Sequence, residues 1–207
     1  MARPSKTWKI KKREIVFSAQ PWLDVWKETI ELPGGQVVSD YYKIASPDSV
    51  TIVAIDRHGL VLAARQYRHG IQGSVWVVPA GFIDRNETPL AAAKRELLEE
   101  TGYMAAHWVH VGTFIRDVNR WSGRAHVFLA LNATPTAPPA DNDLQSFDTE
   151  LVDFEQLIQN MLSGRKKGLG PIAYALIVKE YLSKHFPKSI KDKGFSTPTA
   201  SKRRGKP

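Results

Sequence analysis

The chain predicts an α/β fold: a mixed β-sheet sandwiched between helices, with an extra region of strands at its N-terminus. Three observations carry this. Short runs of alternating apolar and polar residues recur from residue 14 to residue 154, the period of half-buried strands. A single helix with its own start and stop signals interrupts them at 88–101. Two further helical runs follow the last strand, so helices fall on both sides of the strand series and an α/β/α sandwich results.

In chain order, 14–17 reads as a short strand and 22–32 (WLDVWKETIEL) as a longer one running into the turn Pro33-Gly34-Gly35. Residues 36–44 return as its hairpin partner. Residues 49–55 and 60–67 form a second hairpin around Asp56-Arg57-His58-Gly59, and 76–79 leads into the central helix. Thr88 is a suitable N-cap, and Pro89 follows where a missing N–H costs nothing. Gly102 fits the left-handed position just past the last turn. Strand composition resumes at 106–113, 125–131 and 149–154, and helices are predicted over 154–163 and 172–185. No internal repeat is present.

The central helix is the informative segment. At about 100° per residue, Glu96, Glu99 and Glu100 share one face, because i, i+3 and i+4 are neighbours. Leu90, Ala93, Leu97 and Thr101 form the opposite stripe, expected to bury against the sheet. Three adjacent carboxylates repel one another, and a structural helix has no need of them. A hard divalent cation such as Mg²⁺ or Mn²⁺ removes the repulsion; the plainer alternative is a solvated Glu-rich face.

The frame around the helix decides between these. Gly81, Glu87, Arg95, Glu96, Glu99, Glu100 and Gly102 stand at fixed spacing in GFIDRNETPLAAAKRELLEETGY. A chance match at seven specified positions has a probability on the order of one in ten million per start site. The pattern is the Nudix box, GX₅EX₇REUXEEXGU with U a bulky apolar residue, and the chain resembles the Nudix hydrolases. Only Tyr103 departs, standing where an aliphatic residue is usual.

The resemblance implies a Nudix-type α/β/α sandwich and cleavage of a nucleoside diphosphate linked to another group. It assigns metal binding and catalysis to Glu96, Glu99 and Glu100, with the backbone carbonyl of Ala80 as a further ligand. Glu87 and Arg95 match the ion pair that holds the box in shape, flanked by Gly81 and Gly102. The segments Ala64-Arg65-Gln66-Tyr67-Arg68 and Val78-Pro79-Ala80-Gly81 resemble those of ADP-ribose and nucleotide-sugar pyrophosphatases over about residues 14–183. That subgroup uses an N-terminal strand region for dimerisation, and its arginine at the position of Arg68 helps hold substrate.

Two features depart from the subgroup. No proline occurs between Pro89 and Pro135, and the loop there reads FIRDVNRWSGRAH. Its Arg116, Arg120 and Arg124, with Trp121, are either contacts for an anionic aromatic substrate or solvated charge. Gln145 stands where many members carry a catalytic Glu, and Gln is no base; Asp141, Asp143 or a box residue such as Glu99 is left to take the proton. Trp22, Tyr42 and Trp76 are candidate rings for stacking on a base, or else packing. None of the six histidines pairs at zinc spacing.

Composition fits these expectations. With 207 residues, 43% of them hydrophobic, one full core is within reach. No apolar run approaches the roughly 18 residues that read as a membrane span. The N-terminus is basic but lacks the apolar stretch of a secretory signal. The absence of cysteine excludes disulfides and thiolate metal sites and fits a cytoplasmic protein.

The net charge of +8 belongs to the ends. Residues 1–13 carry six basic side chains and no acid, and 184–207 carry eight against Asp192 alone. Residues 14–183 therefore hold 15 basic and 20 acidic side chains. The expected organisation is a basic arm (1–13), an N-terminal β region used in a homodimer (14–46), a catalytic domain (47–186) and a basic, disordered tail (187–207). Nucleic acid would be contacted only through these basic ends. The expected function is metal-dependent hydrolysis of ADP-ribose or a related nucleotide sugar. Dinucleoside polyphosphates, NADH, oxidised nucleotides and a non-catalytic nucleotide-sensing or RNA-binding role are the alternatives.

Overall fold

The structure, a computed structural model, describes residues 7–140 and 147–186. Strands β1 (Lys9–Ala19), β2 (Leu23–Glu31) and β3 (Val37–Ala45) form an antiparallel meander. After it come β4 (Ser49–Asp56), β5 (Val61–Arg68), β6 (Gly73–Val77) and β7 (Ala80–Phe82), and then helix α1 (Pro89–Thr101). Long strands β8 (Tyr103–Asp117) and β9 (Trp121–Pro135) make a hairpin, and β10 (Glu150–Val152), α2 (Phe154–Ser163) and α3 (Leu169–His185) complete the fold.

The sheet order is β1-β2-β3-β9-β4-β5-β10, with β6 on β5, β7 on β4 and β8 on β9. It is mixed, because β4 and β9 run parallel from Ser49↔Ala125 to Asp56↔Ala133 while the other long ladders are antiparallel. The α/β expectation therefore holds. Strand β4 explains itself from its sequence: Val50, Ile52, Val53, Ala54 and Ile55 are all buried. A strand covered on both faces reads as a near-continuous apolar run. Val50, Ile52 and Ala54 face Leu62, Ala92, Ala93 and Leu97, the layer beneath α1. Val53 and Ile55 face Ala63, Leu157, Met161, Val178 and Leu182, the layer beneath α2 and α3.

Four local readings change. Strand β1 starts at Lys9, so it takes in residues read as a basic arm. Strand β7 was not expected; three residues carry no period, and only the ladder to β4 defines it. The turn at 56–59 forms, with Asp56 Oδ1 accepting the N–H groups of His58 and Leu60 at 2.8 Å each. Yet β4 and β5 pair as a ladder only at Ile55↔Val61, because β4 gives its edges to β9 and β7 instead.

The fourth concerns α1. Its ends are as expected: Thr88 Oγ1 accepts the Ala91 N–H at 3.2 Å, and Gly102, at φ 73°, closes the helix by donating to the Leu98 carbonyl. The buried stripe, however, is Ala92, Ala93, Leu97, Glu100 and Thr101, while Leu90 is 40% exposed. The two alanines bring the helix close to the sheet. Leu90 then overhangs a hollow lined by Trp108, His110 and Phe128 instead of filling it. Leu97→Ala should destabilise the protein by about 2–5 kcal/mol, and Leu90→Ala by roughly 1 kcal/mol or less, in urea unfolding. Equal losses would restore the stripe drawn from the helical period.

Candidate active site

The box assembles where β7 meets α1. Ala80 and Gly81 pair with Thr51 and Val50 of the buried strand β4, which fixes their height against the helix. The Ala80 N–H donates to Glu100 Oε2 at 2.9 Å, and this accounts for a carboxylate that is only 9% exposed. A buried acid without a hydrogen bond would be costly. Gly81 makes room for the Glu96 carboxylate: a Cβ there would meet it and force it to move. Strand and helix thus interlock through Glu96 and Glu100.

Arg95 organises the rest. Its Nε and Nη2 donate to the two carboxylate oxygens of Glu87 at 3.0 and 2.9 Å, a bidentate pair. Nη2 also donates to the Phe82 carbonyl at 3.0 Å. Nη1 donates to Glu96 Oε1 at 2.8 Å and Glu99 Oε2 at 3.1 Å. Glu87 also accepts the Asp84 N–H, so the loop from β7 to α1 is tied to the helix at both ends. The bond from Arg95 holds the Glu87 carboxyl below its usual range against the opposing effect of burial, and the same carboxylates raise the guanidinium further. Of the three box carboxylates, Glu99 has a side chain 46% exposed and Glu96 only 13%.

Among the described residues, no three acids or histidines stand ready as a metal cluster. Instead the Glu96 and Glu99 carboxylates converge on one cationic N–H group of Arg95. Hard oxygens grouped on a positive point suit a divalent cation in kind. Glu96, Glu99, Glu100 and the Ala80 carbonyl would hold it.

The other sequence-predicted residues divide. Trp22 is brought to the box: its ring lies 6.0 Å from that of Phe82, next to Gly81, and it is 63% exposed. Arg68 ends β5, exposed, and strand alternation from Leu62 puts it on the α1 side of the sheet. Trp76 faces the other layer, packed against the cluster under α2 and α3, and is not in the box. Tyr42 is exposed on β3. Arg116 bonds Ser46 Oγ at 2.9 Å and the Pro47 carbonyl at 2.6 Å, and Arg124 bonds Asp48; both brace the segment entering β4. Asp141, Asp143 and Gln145 lie outside the described residues. Thr113 Oγ1 links His110 and His126, away from the box carboxylates, and burial pushes the His126 imidazole pKa down.

Sequence reasoning missed Phe82 and Asp48. Phe82 supplies a carbonyl to Arg95 and a ring to Trp22, and Asp48 accepts from Arg124 while its carbonyl receives the Ile83 N–H. Both join segments distant in sequence, and no local signal marks them.

The NUDIX domain model matches residues 45–171. The chain belongs to the Nudix family. Members of this family generally depend on a divalent metal, in keeping with the donor set described above. An ADP-ribose pyrophosphatase of Bacillus subtilis is 31% identical over 118 residues, 57% of this chain and 63% of that protein. A CMP-5'-(N-acetyl-N-hydroxy-3-aminopropyl)phosphonate hydrolase of Streptomyces rubellomurinus is 28% identical over 154 residues, 73% of each chain. The Nudix chain thus spans just under two thirds of the first relative and somewhat more of the second. A crystal structure of an ADP compounds hydrolase superposes with TM-score 0.75 at 19% identity, covering 88% of this chain and 98% of that one, and so supports the fold.

Because the folded Glu87 pKa is depressed, its ion pair stabilises the Nudix fold above the ordinary carboxylate range, and that stability is lost as pH falls through the lower folded value. Glu87→Gln should lower stability by about 1–3 kcal/mol at pH 7. The gap to the wild-type protein should narrow in acid, measured by urea unfolding across pH. A gap that does not change with pH would mean that the Glu87 charge contributes nothing.

Proposed function

We propose that the chain is a pyrophosphohydrolase that uses Mg²⁺ (or Mn²⁺) to cleave the diphosphate of ADP-ribose or a related nucleotide sugar. The observation that carries this reading is the meeting of Glu96 and Glu99 on Arg95 Nη1, with Glu100 one turn along the helix and bonded to Ala80 of strand β7. A module that only binds nucleotides has no use for all three acids.

In the reaction, water attacks one phosphorus, the bridging P–O bond breaks, and a nucleoside monophosphate and a sugar phosphate leave. A bound divalent ion would neutralise the diphosphate charge and lower the pKa of the attacking water. Arg95, itself fixed by Glu87, braces Glu96 and Glu99, which limits the reorganisation needed as charge develops. Glu99, the more exposed of the two acids on Arg95 Nη1, is the proposed acceptor of the water proton, and Asp143 is the proposed second acid–base group. Arg68 is the proposed phosphate or ribose clamp, with Trp22 stacking on the base. Arg116 is proposed to act indirectly, by fixing 46–47 beside the site.

ADP-ribose should yield AMP only when Mg²⁺ is present. Glu99→Gln should lower kcat at least about a hundredfold without a comparable loss of stability. Tight binding of ADP-ribose with no turnover would instead favour a sensor, and faster release from dinucleoside polyphosphates, NADH or an oxidised nucleotide would move the substrate class.

We also propose that β1–β3 mediate a homodimer in the cytoplasm. Trp8, Ile15, Phe17 and Val37 are each at least half exposed, more apolar area than an isolated edge ordinarily shows water. No helix among the described residues is long and apolar enough to cross a membrane. Light scattering should give twice the 23.2 kDa chain mass, and Phe17→Lys with Val37→Lys should reduce it to one. A monomeric wild-type protein would end the dimer proposal.

A further inference from the structure

The face of the sheet away from the box holds a hollow of about 630 Å³, within the usual range for small-molecule sites. Its floor is the paired residues Arg65 and Trp76 of β5 and β6, with Ser74 beside them. Its walls are the end of α2 (Asn160, Met161, Ser163) and the connection 164–168 leading to α3. Arg65 lies on the strand face of Ala63, opposite Leu62 and the α1 layer, so the hollow is separated from the box by the sheet itself.

Its chemistry is one-sided. Arg65, Arg165 and Lys166 line it, and among the described residues no acid does. Neither arginine has a salt bridge or hydrogen-bond partner among the described residues. Lys166 donates its ammonium to the carbonyls of Ile71 and Gln72, which clamps the connection over the β5–β6 turn; among the described residues it meets no carboxylate. The start of α3 at Gly168, which has no side-chain cap, adds positive potential to the same rim. Beside these cations the partly buried indole of Trp76 offers an apolar plane. Unpaired guanidinium groups select a phosphate, and the indole selects a flat ring carried with it.

We propose that this hollow is a second, non-catalytic binding site for a mononucleotide, with the phosphate on Arg65 and Arg165 and the base against Trp76. The site is independent of the hydrolysis proposed above, since it shares no residue with the box. A nucleoside monophosphate released at the box is a ligand of the right class, so occupancy would report product level to the opposite face of the sheet.

Equilibrium dialysis of AMP against the full chain without divalent metal tests the assignment. Wild-type protein should bind AMP, and Arg65→Ala with Arg165→Ala should weaken that binding about tenfold or more, the loss expected from one or two charge-assisted hydrogen bonds. Glu96→Gln with Glu99→Gln should bind AMP as the wild-type protein does. Adenosine and ribose 5-phosphate, each lacking one half of the ligand, should both bind more weakly than AMP. Both arginines are exposed, so the double variant should keep its thermal midpoint. The proposal is overturned by an absence of AMP binding, by wild-type affinity in the arginine variant, by loss of binding in the box variant, or by ribose 5-phosphate binding as tightly as AMP.

Discussion

Four carboxylates cannot be gathered at one end of a sheet without a positive charge among them, and Arg95 is that charge. One guanidinium meets Glu87 through both oxygens, Glu96 and Glu99 through a shared nitrogen, and the Phe82 carbonyl in addition. A lysine could not replace it, because the planar fork serves partners in different directions at once. The fork also links the loop before the helix to the helix itself. The site is thus organised by the same electrostatics that a divalent cation would exploit. The repulsion that makes the cluster improbable as mere structure is the property that suits it to a diphosphate, whose own charge must be neutralised before water attacks.

Glu100 takes a different part from its neighbours. It faces inward and accepts a backbone N–H from Ala80, so it couples the helix to β7. Strand β7 in turn rests on β4, the most buried strand of the sheet. Glu96, one helical turn earlier, reaches the same strand, and its carboxylate lies where a side chain at residue 81 would begin. Errors in packing at β4 would therefore be transmitted to the carboxylates through only one strand. This is the physical link between an ordinary apolar core and the placement of charge at its edge.

The legibility of the sequence follows the range of the interactions. The ends of α1 were readable because capping is local: Thr88, Pro89 and Gly102 act within one turn of the helix. The box was readable because it is a rigid frame of spaced residues. The Leu90 error arose because a helical wheel gives direction but not distance, and two alanines brought the helix close to the sheet at one end. Strand β7 and the lone β4–β5 pairing depend on which neighbour wins an edge, a contest among segments far apart in the chain. The same holds for Trp76, whose ring could have faced either layer until the strand register was known.

The box and the hollow on the opposite face differ in charge for separable reasons. On the α1 side, acids surround one arginine; the hollow on the other side is lined by Arg65 and Arg165 and, among the described residues, by no acid. Strand β5 joins them directly, since Arg65 points to the basic face and Arg68, three residues on, lies on the acidic one by alternation. A segment of four residues thus reaches both surfaces through a layer about one strand thick. Net charge conceals this completely, because the basic ends outweigh the acidic body in any sum over the chain. What matters to a phosphate ligand is the local field at each face, and that is fixed by strand register and not by composition.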